Sequence, residues 1–188
     1  HSPADWFFDV QQTCLQRPEA VRVYPCLVLR STELERMYLA GEYTPWNLDT
    51  AVRALSRGVF RFWRRGLRVI RLGLPPQPEL IQAVRAGPWH PALGSLIRSR
   101  ILFSRIAAAV LSSGADPQSL RLHCPRSWQG DLWGHRGEAR ERFKRLGISA
   151  SQIEFTQGSE MVLIAVNRFT SQRPWAIPGA DNFHANRF

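Results

Sequence analysis

Residues 120–154 read LRLHCPRSWQGDLWGHRGEARERFKRLGISASQIE, and the order of elements in this stretch decides the fold of the carboxyl-terminal part of the chain. A strand leads into a short helix, a Gly-x-x-Gly turn, a second helix beginning at about Glu138, and a closing strand. Gly134 and Gly137 let the backbone come close to a sugar-phosphate chain because no Cβ stands in the way. His135 and Arg136 between them, and Arg140 just after, supply polar and cationic contacts. Backbone N–H groups left free at the start of the second helix would also point toward phosphates. An ordinary helix-turn-helix uses the same glycines to cap and turn, so the flanking strands and helices carry the reading.

That order resembles the minimal core of a KH nucleic-acid-binding module. The resemblance implies contact with RNA through Gly134, His135, Arg136, Gly137 and Arg140. The charge balance agrees. Twenty-five basic residues face 15 acidic ones for a net charge of +10, and all the basic residues except Lys144 are arginine. Arginine suits bidentate phosphate contact and stacking on bases, which makes nucleic acid the first candidate partner. The competing explanation is surface charge written as arginine by codon bias, with no partner at all.

The chain's 188 residues, 44% apolar with seven tryptophans, suffice for one sizeable core or two small ones. The longest apolar run, around Ile106 to Leu111, falls far short of the roughly 20 residues of a membrane span, and no secretory signal opens the sequence. A soluble chain without a membrane partner is expected. Cys14, Cys26 and Cys124 are widely separated and cannot all pair, so they read as thiols in a reducing cytoplasm.

Ser2 and Pro3 open an amphipathic helix to Gln16, with Phe7, Val10 and Cys14 on one face. The nearly continuous apolar segment VRVYPCLVL, residues 21–29, predicts one strand buried on both faces of a parallel sheet. Thr32 and Glu35 have capping-box spacing before a short helix that ends at Gly41. A longer helix from Asn47 carries Leu48, Val52, Leu55, Val59, Phe62 and Trp63, stops at Gly66, and leads into a strand over Leu67 to Leu74. Strand, helix, strand at this spacing is a βαβ unit. Residues 75–91 predict loops around a short helix near Glu79 to Val84, and Leu93 to Ser112 a long helix with Leu96, Ile97, Ile101, Ile106 and Val110 mostly inward. Asp116, Pro117 and Gln118 form the expected linker. The expected division is therefore 1–115, then an α+β domain over 116–166, then an irregular tail over 167–188 that holds RPWAIPGADNFHANRF.

A dedicated metal site is not expected. His123 and Cys124 are adjacent in a strand, so they point to opposite faces, and neither has a partner at zinc-site spacing. Neither a Gly-x-Ser-x-Gly elbow nor a dinucleotide or P-loop fingerprint occurs. Arg57, Arg61, Arg64, Arg65, Arg68 and Arg71 offer a phosphate-binding face, against the default of a solvated one, since Arg57, Arg61 and Arg64 lie opposite Leu55 and Phe62 on the helix.

Four segments carry a second resemblance, in order: VRVYPCLVLRSTELERMYLAGEYTPWNLDTAVRAL (21–55), RVIRLGL (68–74), AGPWHPALGSLI (86–97), and the stretch holding GHRG. Tyr-Pro-x-Leu-Val, Ser-Thr-Glu-Leu and Gly-Glu-Tyr-x-Pro are similar to motifs of radical S-adenosylmethionine (SAM) proteins in the family of the Elongator catalytic subunit. The resemblance implies an α/β fold, a partial (βα) radical SAM barrel followed by the small α+β KH-like domain. It implies a parent enzyme in which a four-iron four-sulfur cluster cleaves S-adenosylmethionine to a 5'-deoxyadenosyl radical. The family holds that cluster by Cys-x-x-x-Cys-x-x-Cys, and no two cysteines here stand closer than Cys14 and Cys26. The chain thus reads as a carboxyl-terminal fragment, its opening His-Ser in part a vector scar, with no cofactor bound by it alone.

On that resemblance, working residues sit at the carboxyl ends of barrel strands. Tyr24, Pro25, Cys26 and Leu27 would flank the adenine of the cofactor as an apolar wall and backbone partner, against the alternative of plain core packing. Arg71, Gly73, Trp89 and His90 would face substrate, although a histidine between Trp and Pro is more often a structural residue than a catalyst. No catalytic residue is assigned. The implied role is recognition of RNA, with tRNA the first candidate, by a radical SAM enzyme. The Elongator family modifies the wobble uridine with an acetyltransferase domain downstream, and no acetyltransferase sequence appears in this chain. The alternatives are an oxygen-independent coproporphyrinogen oxidase-like enzyme acting on a non-RNA substrate, or a non-catalytic binding module that self-associates through an exposed barrel edge.

Overall fold

The computed structural model describes residues 2–167, 170–171 and 175–176. The chain divides into two compact units after Ile97.

The first unit opens with helix α1 (Pro3–Gln16), whose Ser2 hydroxyl accepts from the Asp5 N–H while the Asp5 carboxylate accepts from the Ser2 N–H, a reciprocal cap. Strand β1 (Ala20–Val23) pairs in parallel with β3 (Arg68–Leu72), and helices α2 (Glu33–Leu39) and α3 (Leu48–Arg64) lie between them in sequence. This is the expected strand-helix-strand crossover. The segment predicted as one strand over 21–29 is instead two. After β1 the chain leaves the ladder at Tyr24 and resumes as β2 (Val28–Leu29), which pairs antiparallel with β4 (Val84–Ala86) in a separate sheet. Pro25 is the physical reason, since it has no N–H to continue a ladder. β4 itself follows helix α4 (Pro78–Ala83) within the stretch expected to loop.

Helix α3 buries Ala51, Val52, Leu55, Val59, Phe62 and Trp63. Its exposed face carries Arg53, Arg57, Arg61 and Arg64. Gly58 lets α1 approach: a Cβ there would stand 2.5 Å from the Trp6 ring. Trp6 donates its indole N–H to the Ala54 carbonyl (3.0 Å) and meets Phe62 edge to face.

The division between the two compact units falls within helix α5 (Leu93–Ser113). The expected linker is built into the second unit. Asp116 caps a short turn through the Gln118 N–H, and the buried Gln152 side chain donates to the carbonyls of Pro117 (2.7 Å) and Leu120 (3.0 Å). Pro117 also packs so closely on Gly147 that a Cβ there would lie 2.8 Å away.

In the second unit, β5 (Leu120–Pro125) is followed by α6 (Gln129–Trp133), the 134–137 turn, α7 (Arg140–Arg145) and β6 (Ile153–Thr156), which pairs in parallel with β5. β7 (Val162–Asn167) pairs with β5 antiparallel, giving the order β6-β5-β7. Leu120, Leu122 and Cys124 point inward, and Arg121 and His123 outward, where His123 Nε2 meets Glu154 at 3.3 Å. Within the region expected to be an irregular tail, β8 (Thr170–Ser171) and β9 (Trp175–Ala176) both pair antiparallel with β7. The remainder of that expectation lies outside the described residues. The observed class is mixed α/β with small sheets. No described helix is long and apolar enough to cross a membrane.

Candidate functional site

Where β1 ends, residues 24–26 form one wall of a cleft of about 410 Å³ within the first unit. Its other walls are Trp6 and Asp9 of α1, Tyr43 and Trp46 before α3, Ala51 and Leu55 of α3, and Pro88. That volume suits a small organic ligand, and four aromatic side chains offer flat apolar faces to it. Tyr24 and Cys26 are exposed on its rim, whereas Leu27 is buried and packs against Gly87 instead. Burial, then a hydrogen bond and charge interaction with the Cys26 thiol, push the Tyr43 hydroxyl up to about 12, so it stays a neutral donor.

The expected substrate-facing residues divide. Gly73 follows β3 at the same end of the sheet as Tyr24 and donates its N–H to the Val23 carbonyl (2.9 Å). It is held at φ 80°, a conformation that favours glycine, and an added Cβ would press on Leu93 Cβ at 3.1 Å. Arg71 is exposed beside Arg22 in the parallel register. His90 accepts the Ala92 N–H on Nδ1 (3.0 Å), a turn-forming bond just ahead of α5. Trp89 is half-buried next to the cleft residue Pro88, and its buried indole N–H has no partner among the described residues.

In the second unit the GHRG turn is tightly self-bonded. Gly134 has φ 72° and ψ −175°, conformations open to glycine, and a Cβ there would meet Ser99 Oγ at 2.8 Å. Arg136 is left-handed at φ 55° and Gly137 at φ 76°. The second helix begins at Arg140, not Glu138, because the N–H groups of Gly137, Glu138 and Ala139 bond to the carbonyls of Gly134, His135 and Trp133. Those donors are therefore spent within the turn and do not await a phosphate. What the turn presents outward is cationic side chain. Arg136 is exposed, and the Arg140 guanidinium stacks 4.4 Å above the Trp133 ring.

The three cysteines are free, and no group of three His, Cys, Asp or Glu side chains able to hold a metal occurs among the described residues. The cleft brings Tyr24, Pro25 and Cys26, singled out in the sequence, together with Trp6, Tyr43 and Trp46, which were not. Tyr43 lies in the quoted Gly-Glu-Tyr-x-Pro stretch, so the signal was present, but only the fold shows that it closes on Cys26.

Residues 18–102 match the Radical_SAM C-terminal domain family. The chain is similar to the tRNA uridine(34) acetyltransferase of Methanocaldococcus jannaschii, at 37% identity over 57 residues, which are 29% of this chain and 10% of that protein. It is also similar to the tRNA uridine(34) acetyltransferase of Methanocaldococcus infernus, at 36% over 56 residues with the same coverage. The matched stretch thus spans about a tenth of these relatives. No solved structure matches the chain.

Proposed function

We propose that the chain serves in tRNA modification by contributing to substrate recognition, on the premise that residues 18–102, which match the Radical_SAM C-terminal domain family, belong to a radical SAM protein of the Elongator type. The observation that carries this reading is the combination of that family match with relatives named for action on tRNA uridine 34. A net charge of +10 on an almost wholly arginine-based set of cations supports a phosphate-rich partner.

Within this proposal the second unit acts as a KH-like RNA module, on the strength of its strand, helix, Gly-x-x-Gly, helix, strand order. Its contacts are made by side chains. Arg136 takes a phosphate, His135 adds a polar contact, and the Arg140–Trp133 stack offers a face to a base. The glycines serve the turn itself.

The cleft at Tyr24, Pro25 and Cys26 fits the adenosine half of S-adenosylmethionine in size and in its aromatic walls. Bound there, that cofactor would bring the carbon centre from which radical chemistry is generated in this family. Among the described residues no three cysteines come together, so they do not fit the iron-sulfur cluster. What this chain would supply is an aromatic wall against the adenine and a neutral Tyr43 donor beside it.

The test is binding of the 188-residue chain to tRNA across a salt series, beside Arg136→Glu. The proposal expects log affinity to fall steeply with log salt, and the variant to lower that slope by about 1 or more. Absence of binding at low salt overturns it.

A further inference from the structure

We propose that the exposed face of α3 is a second nucleic-acid contact, a groove formed by Arg57, Phe60, Arg61, Arg64 and Arg65 that takes a phosphodiester backbone. The proposal rests on the tRNA reading above for the identity of the strand, and on the following geometry for the site.

These five residues line a surface groove of about 510 Å³ within the first unit. No acidic side chain lines it. The sequence has no Asp or Glu at all between Asp49 and Glu79, a span that includes Arg53, Arg57, Arg61, Arg64, Arg65, Arg68 and Arg71. Two arginines flanking the groove are paired on the surface: Arg53 with Asp49 at 3.1 Å and Arg68 with Glu19 at 3.1 Å. The four between them form no ion pair among the described residues. A solvated helix face ordinarily intersperses acids one turn from its cations; here Arg57, Arg61 and Arg65 follow one another at i, i+4 and repel. An anion laid along the face relieves that repulsion.

The spacing selects the class of anion. From Arg57 to Arg65 the helix advances about 12 Å, at 1.5 Å per residue. That is too long for four guanidiniums to converge on one phosphate, and it suits a chain of them. Arginine forks bind phosphate oxygens bidentately. Phe60 sits in the middle of the groove, half-buried, where its ring can meet a ribose or base face. The opposite side of α3 is fixed by Val59, Phe62 and Trp63, each nearly fully buried, so the face is held rigid before any ligand arrives. The helix dipole explains cations at the last turn only; Arg57 stands two turns earlier.

The experiment compares the full chain with the R57Q/R61Q/R64Q/R65Q variant and with R136E, using tRNA and an unstructured 20-nucleotide RNA as separate probes across a salt series. Glutamine keeps helix propensity, and thermal melts of each protein confirm folding. Loss of four phosphate contacts lowers the slope of log affinity against log salt by about 3 for single-stranded RNA. A quadruple variant that is folded and binds both probes with unchanged slope overturns the groove. If R136E also binds unchanged, the KH-like reading falls with it; if R136E alone loses tRNA, that reading stands and the groove does not. Binding of the 20-mer through the groove, with no preference for tRNA over it, keeps the groove and removes tRNA as its partner. Displacement of RNA by poly-glutamate at equal charge overturns it, because a backbone site discriminates phosphate from carboxylate. The remaining separation is the R57K/R61K/R64K/R65K variant, which keeps charge without forks and is expected to retain slope while losing affinity.

Discussion

At Gly134 the backbone lies at φ 72°, ψ −175° and Ser99 Oγ sits 2.8 Å from the site a Cβ would fill. Gly134→Ala is therefore expected to destabilise the fold by roughly 1–3 kcal/mol with no RNA present, read as a lower urea midpoint at unchanged m. An unchanged midpoint would show that the turn tolerates a side chain and that its glycine answers only to a ligand. Cys124 gives a pH signature. Burial pushes its thiol up to about 12 from an ordinary 9.0, so the folded state holds that proton more tightly than the unfolded state. Its contribution is fully present below pH 9.0 and is lost as pH rises toward 12, and Tyr43, also raised to about 12, from 10.0, acts in the same direction. Stability measured from pH 8 upward should fall over that window, and Cys124→Ala should flatten the decline. The same burial predicts that a thiol reagent modifies the exposed Cys26 in the native protein while Cys124 reacts only on unfolding. At this scale the sequence gives glycines away easily and their reasons poorly: Gly134 and Gly137 stand out in GHRG, but Ser99 is far away in the chain and nothing local announces it.

At the level of elements, α1 is fastened to α3 through Trp6 and Gly58. Gly58→Ala gains helix propensity of up to about 1 kcal/mol, yet drives a methyl to 2.5 Å from the Trp6 ring. Overpacking of that kind costs about 1–3 kcal/mol, so a net loss of stability is expected, and Trp6→Ala in the same background should make the added methyl neutral or favourable. Measured non-additivity in that double-mutant cycle is the check. The helices were legible because caps and periodicity are local: Thr32 accepts the Glu35 N–H that its spacing predicted, and Ser2 and Asn47 cap α1 and α3 in the same way. The strands were less so. VRVYPCLVL has the composition of one buried strand, and only the missing N–H of Pro25 argues for the break that opens the cleft. β1 and β3 pair with each other alone among the described strands, which leaves their outer edges open. Self-association through that edge is expected as a concentration-dependent rise in mass by light scattering, and a monomer at all concentrations would contradict it.

Across the whole molecule, division after Ile97 separates a unit bearing the aromatic cleft and the α3 arginine face from one bearing the GHRG turn. Asp-Pro-Gln reads locally as a linker; Gln152 and Gly147, which clamp Pro117, lie thirty or more residues further on and could be matched to it only by the fold. Order of elements around GHRG was legible from local pattern alone, whereas the spending of its N–H groups inside the turn was not. The proposed contacts with tRNA are arginine side chains on both units. Ultraviolet cross-linking of the full chain to bulk tRNA, with adducts mapped by mass spectrometry, tests that most directly. Nucleotide adducts are expected on peptides spanning 133–140 and 57–65, disappearing as salt is raised. Adducts absent from both peptides, in a sample that binds or fails to bind tRNA, would contradict it.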